Sequence, residues 1–137
     1  GMVRAKTGAL LGAAAALGAL GAGGDEGMAA ALAMWGEHVG TAFQIQDDVL
    51  GLWGDPAVTG KPVGHDLLRR KKGLPLLLGA VDPTTAALER AGIRDACRRW
   101  AEHRAADAET ALDRLVITPD AREALRSLSR MAVHRDR

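Results

Sequence analysis

The chain of 137 residues has no tyrosine, one phenylalanine and three tryptophans. With so few aromatic rings, it has little surface on which to stack single-stranded bases. Formal net charge is only +1, which excludes nucleic-acid binding driven by bulk positive charge. A single cysteine, Cys97, excludes an internal disulfide and a Cys-x-x-Cys zinc site, and a reducing cytoplasm is the expected compartment. The longest apolar run, "ALLGAAAALGALGAGG" at 9–24, falls short of the roughly 20 residues that a membrane-spanning helix needs. Lys6 and Arg4 precede it, but nothing after it has the layout of an export signal. No membrane span is expected.

What the chain does have is alanine, leucine and glycine. Hydrophobic residues make up 47%, enough for one folded domain with a core. Clusters of β-branched residues are rare, so the class predicted is all-α, with about five helices. The first spans about 2–22, its small residues allowing close helix–helix approach. "GGDE" at 23–26 breaks it, and Asp25 is placed to cap a second helix over about 26–53. There Leu32, Trp35, Val39, Ala42, Phe43 and Ile45 recur near helical spacing and predict a core face. "GDPAVTGKPVG" at 54–64, with two prolines and three glycines, is predicted as a loop. A third helix is expected over about 66–80, kinked or ended by Pro75. A fourth covers about 86–115, with Asp82 or Thr84 available as cap and Gly92 as a potential break. The last follows Thr118 and Pro119. Trp35 and Trp53 are expected in the core or along a cavity wall, Met28 and Met34 in the core, Trp100 as an anchor of the fourth helix, and Cys97 as a small buried hydrophobe.

The chemistry concentrates in "FQIQDDVLGLWGD" at 43–55. On a helix, Gln44, Asp47 and Asp48 stand at i, i+3 and i+4 and share one face. Two adjacent carboxylates repel, and a divalent cation relieves that repulsion. Mg²⁺ suits one or two carboxylates together with water and substrate phosphates. Taken alone, the pair also fits a solvated helix face. Lys61 follows in "TGKPVG", then Asp66 and the run Arg69, Arg70, Lys71, Lys72. Ammonium and guanidinium groups beside such a pair suit a diphosphate. His65 in that loop is expected to face solvent, and His38, His103 and His134 have no metal-ligand spacing.

"KTGALL" at 6–11, "FQIQDDVLGLWGD" and "TGKPVGHDLLRRKKGLP" at 59–75 resemble, in order and spacing, the C-terminal half of the trans-isoprenyl diphosphate synthases. The resemblance covers about seventy residues and implies the helical bundle of isoprenoid synthases. It implies Mg²⁺-dependent condensation of an allylic diphosphate with isopentenyl diphosphate. Residue by residue, it makes Lys6, Lys61 and Lys71 the diphosphate-binding lysines. Asp47 matches the principal metal ligand and Asp48 its metal-site neighbour. Lys6, Thr7, Gln44 and Asp47 become the catalytic set, and Asp66 a supporting loop aspartate. The Asn/Ser/Glu metal motif of the alternative, a terpene cyclase-like protein, is absent.

Two departures stand out. Gly51 occupies the place of the third aspartate in D-D-x-x-D, and the upstream aspartate-rich motif of the family has no counterpart. The family domain is about twice this length. The expectation is a single helical unit over 1–137 that is a fragment or split half lacking its N-terminal partner. Such a half should expose apolar surface and form homo- or hetero-oligomers. A non-catalytic subunit that modulates a synthase is the alternative.

Overall fold

A computed structural model describes residues 7–60, 73–78 and 84–133, except for the side chains of Val58, Thr59 and Val133. Every regular element among these residues is helical: α1 (Ala9–Gly21), α2 (Glu26–Trp53), α3 (Pro56–Thr59), α4 (Leu74–Leu78), α5 (Thr85–Arg90), α6 (Ile93–Asp113) and α7 (Pro119–Val133). The all-α class is as expected. None of the described helices is long and apolar enough to cross a membrane.

The central element is α2. Asp25 starts it by accepting a hydrogen bond from the Met28 N–H at 2.7 Å, satisfying one of the amides that a helix start leaves open. Helix α1 packs along one side of α2, backbone against backbone. A Cβ added at Gly36 would lie 2.6 Å from the Leu11 carbonyl oxygen, and one at Gly40 would lie 2.8 Å from Gly8 Cα. Only glycine permits so close an approach. The outer surface of α1 carries no charge and leaves Leu10 71% and Leu17 69% exposed.

The other side of α2 meets α6 and α7 in two clusters. Trp35 and Val39 pack with Ala108, Leu112, Leu115 and Ala132. The buried Trp35 Nε1–H donates to Ser129 Oγ at 3.1 Å, and Ser129 donates to the Leu125 carbonyl. Farther along α2, Ile45 and Val49 pack with Leu74 of α4 and with Cys97 and Ala101 of α6. Arg122 in α7 donates to the carbonyls of Leu112 and Leu115 at the end of α6, and Arg126 reaches Glu109 at 2.9 Å and Asp113 at 3.0 Å. Glu109 and Asp113 of α6 thereby tie that helix to α7.

Several expectations are corrected. The loop after α2 contains a helical turn, α3. Asp55 caps it through the Ala57 N–H, Pro56 opens it, and Gly60 ends it at φ 66°. Helix α4 begins after Gly73, so Pro75 stands in its first turn, where a missing N–H costs nothing; the 66–72 and 79–80 parts of the expected third helix lie outside the described residues. The stretch expected as a fourth helix is divided at Gly92, with φ 70°, the break that the sequence allows, and Thr84, one of the two expected caps, opens its first part. Trp100 is 54% exposed and anchors nothing in the core, and Met34 also faces outward. Met28 does pack against the first cluster.

Candidate functional site

The length of α2 carries its second half from the Trp35 cluster to a polar group buried between α1, α4 and α6. Gln44 and Asp48 lie one helical turn apart and point the same way, as their spacing predicts. Gln44 Nε2 donates to Asp48 Oδ1 at 3.0 Å. At the other end of the same amide, Gln44 Oε1 accepts from the Thr7 hydroxyl at 2.6 Å. The second Asp48 oxygen, Oδ2, accepts from the Leu74 N–H at 2.9 Å. One chain of hydrogen bonds thus joins the start of α1 to α2 and to the start of α4. Asp48 is only 4% exposed, and Gln44 is buried beside it.

Asp47 is half-buried, next in sequence to this chain. The two carboxylates therefore differ in what they can do. Asp48 is buried and accepts through both oxygens, whereas Asp47 is half-buried. A hard cation held by one or two carboxylates and completed by water and phosphate oxygens fits this donor set. No group of three or more His, Cys, Asp or Glu side chains forms a closed metal cage among the described residues.

Cys97 packs against the same group. Burial, reinforced by the nearby charge of Asp48, pushes its thiol up from 9.0 to about 11, so it is protonated and inert as a nucleophile at neutral pH. At the end of α2, the Arg94 guanidinium lies 5.9 Å from the Trp53 ring centroid and pairs with Glu89 at 2.9 Å. His38 lies 3.8 Å from Asp107, away from the carboxylate pair in the chain and on the α6 side of α2.

Of the residues that the sequence singles out, Thr7, Gln44, Asp47 and Asp48 come together. Lys6, Lys61, Asp66, Lys71 and the adjoining basic run lie outside the described residues. Sequence reasoning passed over Gly73 and the Leu74 N–H. A Cβ at Gly73 would sit 2.9 Å from the Asp48 carboxylate, so the lack of a side chain is what admits that carboxylate. The only signal was a glycine just ahead of Leu-Pro, which by itself reads as a helix boundary.

Comparison with known proteins places this geometry. Residues 1–111 match the family model described as polyprenyl synthetase. A geranylgeranyl diphosphate synthase of Mycobacterium tuberculosis is 50% identical over 95 residues, which are 69% of this chain and 27% of that protein. The crystal structure of a polyprenyl synthetase from Streptomyces coelicolor superposes with a TM-score of 0.87 at 33% identity, covering 96% of this chain and 48% of the other. A geranylgeranyl pyrophosphate synthase from Corynebacterium glutamicum, complexed with isoprenyl diphosphate and magnesium, gives 0.79 at 28% identity, over 87% of this chain and 41% of that one. The chain thus spans about half the length of these solved relatives and a smaller share of the curated one.

Proposed function

Because the chain belongs to the polyprenyl synthetase family, we propose that it supplies part of a prenyltransferase that joins an allylic diphosphate to isopentenyl diphosphate. One observation carries the reading: the hydrogen-bonded chain Thr7–Gln44–Asp48 ties Thr7, just ahead of α1, to the Asp-Asp segment of α2. These are the two sequence segments that would have to share one diphosphate.

In this reading Lys6, Lys61 and Lys71 hold the diphosphate oxygens as point charges. Asp47 would hold Mg²⁺, with Asp48 behind it. Bound there, Mg²⁺ offsets the negative charge that builds on the leaving diphosphate. The C1–O bond of the allylic substrate breaks, and pyrophosphate leaves with the electron pair. The double bond of isopentenyl diphosphate then supplies the electrons of the new C–C bond. A proton lost from the adjacent carbon to pyrophosphate restores a double bond. Thr7 and Gln44 direct dipoles at the carbon where positive charge develops, the same principle by which an oxyanion hole stabilises negative charge.

The remainder of the catalytic domain is proposed to come from the part of the longer relatives that these 137 residues do not span. The exposed, uncharged face of α1 supports this, being apolar surface that a lone domain rarely leaves in water. The test is to combine the chain with an N-terminal half carrying the missing aspartate-rich motif and to measure condensation. Asp47→Ala in the active assembly is expected to lower turnover at least a hundredfold, with unchanged helicity by circular dichroism. A loss of less than threefold removes Asp47 from the metal site. An assembly that forms but never turns over favours the non-catalytic subunit, for which Gly51 in the place of a third carboxylate is the specific indication.

A further inference from the structure

We propose that Asp48 is a positioning residue that sets the polarity of the Thr7–Gln44 chain and so decides which end of the Thr7 hydroxyl dipole faces the reacting carbon. The inference rests on the prenyltransferase reading for its consequence, but not for its geometry.

A carboxylate only accepts hydrogen bonds, whereas an amide has one donating and one accepting end. Facing Asp48 Oδ1 at 3.0 Å, Gln44 has to present its NH₂ group. The rigid amide then turns its oxygen to the other side, where the Thr7 hydroxyl lies at 2.6 Å. Two oxygens at that distance need a proton between them, and only Thr7 has one. The single hydroxyl proton of Thr7 is therefore spent inward, and its lone pairs are left for the outer side. Burial of Gln44 and Asp48 keeps water from re-pairing the chain. The Leu74 N–H and the open space at Gly73 hold the Asp48 carboxylate in place. An allylic cation forming beside Thr7 would meet the negative end of an O–H dipole rather than its proton.

Asp48→Asn tests this by reversing the chain with almost no change of shape. The asparagine oxygen still accepts from Leu74, its NH₂ donates to Gln44 Oε1, and Gln44 Nε2 donates to Thr7. The Thr7 proton is then turned outward. In the ligand-free protein, nuclear Overhauser contacts of the Gln44 side-chain NH₂ are expected to residue 48 Hβ in the wild type and to the Thr7 methyl in the variant. Wild-type contacts to the Thr7 methyl instead would overturn the proposal whatever the protein binds.

The consequence is read by calorimetry on the assembly in Mg²⁺, with two probes: an allylic diphosphate and its analogue carrying an ammonium nitrogen near the reacting carbon. Asp48→Asn is expected to lower the preference for the cationic probe about tenfold and to change affinity for the neutral one less than threefold. In a Thr7→Val background the same change should leave that preference where Thr7→Val alone puts it, because the chain then has no hydroxyl to turn. An unchanged preference with weaker binding of both probes and a higher Mg²⁺ requirement would make Asp48 a metal ligand and sink the proposal. Wild-type protein that shows the expected Overhauser pattern but binds neither probe would count against the prenyltransferase reading alone.

Discussion

One substitution made at two glycines should change stability in opposite directions. At Gly18, on the open side of α1, an added Cβ meets nothing within 4 Å. Gly18→Ala then acts through helix propensity alone and is expected to stabilise the protein by about 0.5–1 kcal/mol. At Gly36 in α2 the same propensity gain applies, but the new methyl would lie 2.6 Å from the Leu11 carbonyl oxygen and 2.8 Å from its carbon. Both atoms are backbone, so no side chain can rotate away. Ordinary contact distance requires α1 to retreat by roughly 1 Å, which loosens the helix pair along its length. Overpacking of this kind costs about 1–3 kcal/mol, and the extra backbone displacement puts Gly36→Ala at the upper end. After subtracting the propensity gain, the expected net loss is about 1–2 kcal/mol. Thermal denaturation followed at 222 nm should show the two variants on either side of the wild type, separated by about 5–15 °C for a domain of this size. A Gly36→Ala variant as stable as Gly18→Ala would refute the direct backbone contact between α1 and α2.

Ser129→Ala should cost about 1–3 kcal/mol in urea unfolding, because it leaves the buried Trp35 Nε1–H without its acceptor. Ser129→Thr, which keeps the oxygen, should cost less of that polar loss, and equal losses in the two variants would show that the bond contributes nothing. Cys97 should resist alkylation by iodoacetamide in the folded state at pH 8 and react once urea unfolds the chain. Because its folded thiol is raised from 9.0 to about 11, its contribution is complete below pH 9 and is lost as pH rises through about 11. The stability profile of Cys97→Ala should therefore be flatter across that window, and parallel profiles would contradict the raised thiol.

Much of this was legible in the sequence wherever the signal is local. Asp25 and the pattern that follows it mark the 26–53 helix because capping and periodicity act within a few residues. Thr84, Gly92 and Thr118 are legible for the same reason. The pair Gln44 and Asp48 needs only helical spacing to share a face. The turn Pro56–Thr59 was hidden among residues that usually signal a loop, although Asp-Pro followed by a glycine also describes a capped turn. Trp100 and Met34 were misplaced because an apolar residue at a helix surface is buried only if a neighbour arrives on that side. Gly73 was missed because its role lies in a carboxylate 25 positions earlier in the chain. Local chemistry carries no record of such a contact.

The Trp35–Ser129 hydrogen bond joins positions 94 residues apart, whereas α1 and α2 meet across only a few loop residues. Loop closure favours the near contact, so the α1–α2 hairpin is the natural first structure and the tryptophan bond the late one. During synthesis α1 and α2 are both complete well before residue 129 is added, so the hairpin can form ahead of the α7 helix that closes the other side of α2. In the interval between those two events, Trp35 has its α1–α2 scaffold but not yet the acceptor for its indole N–H.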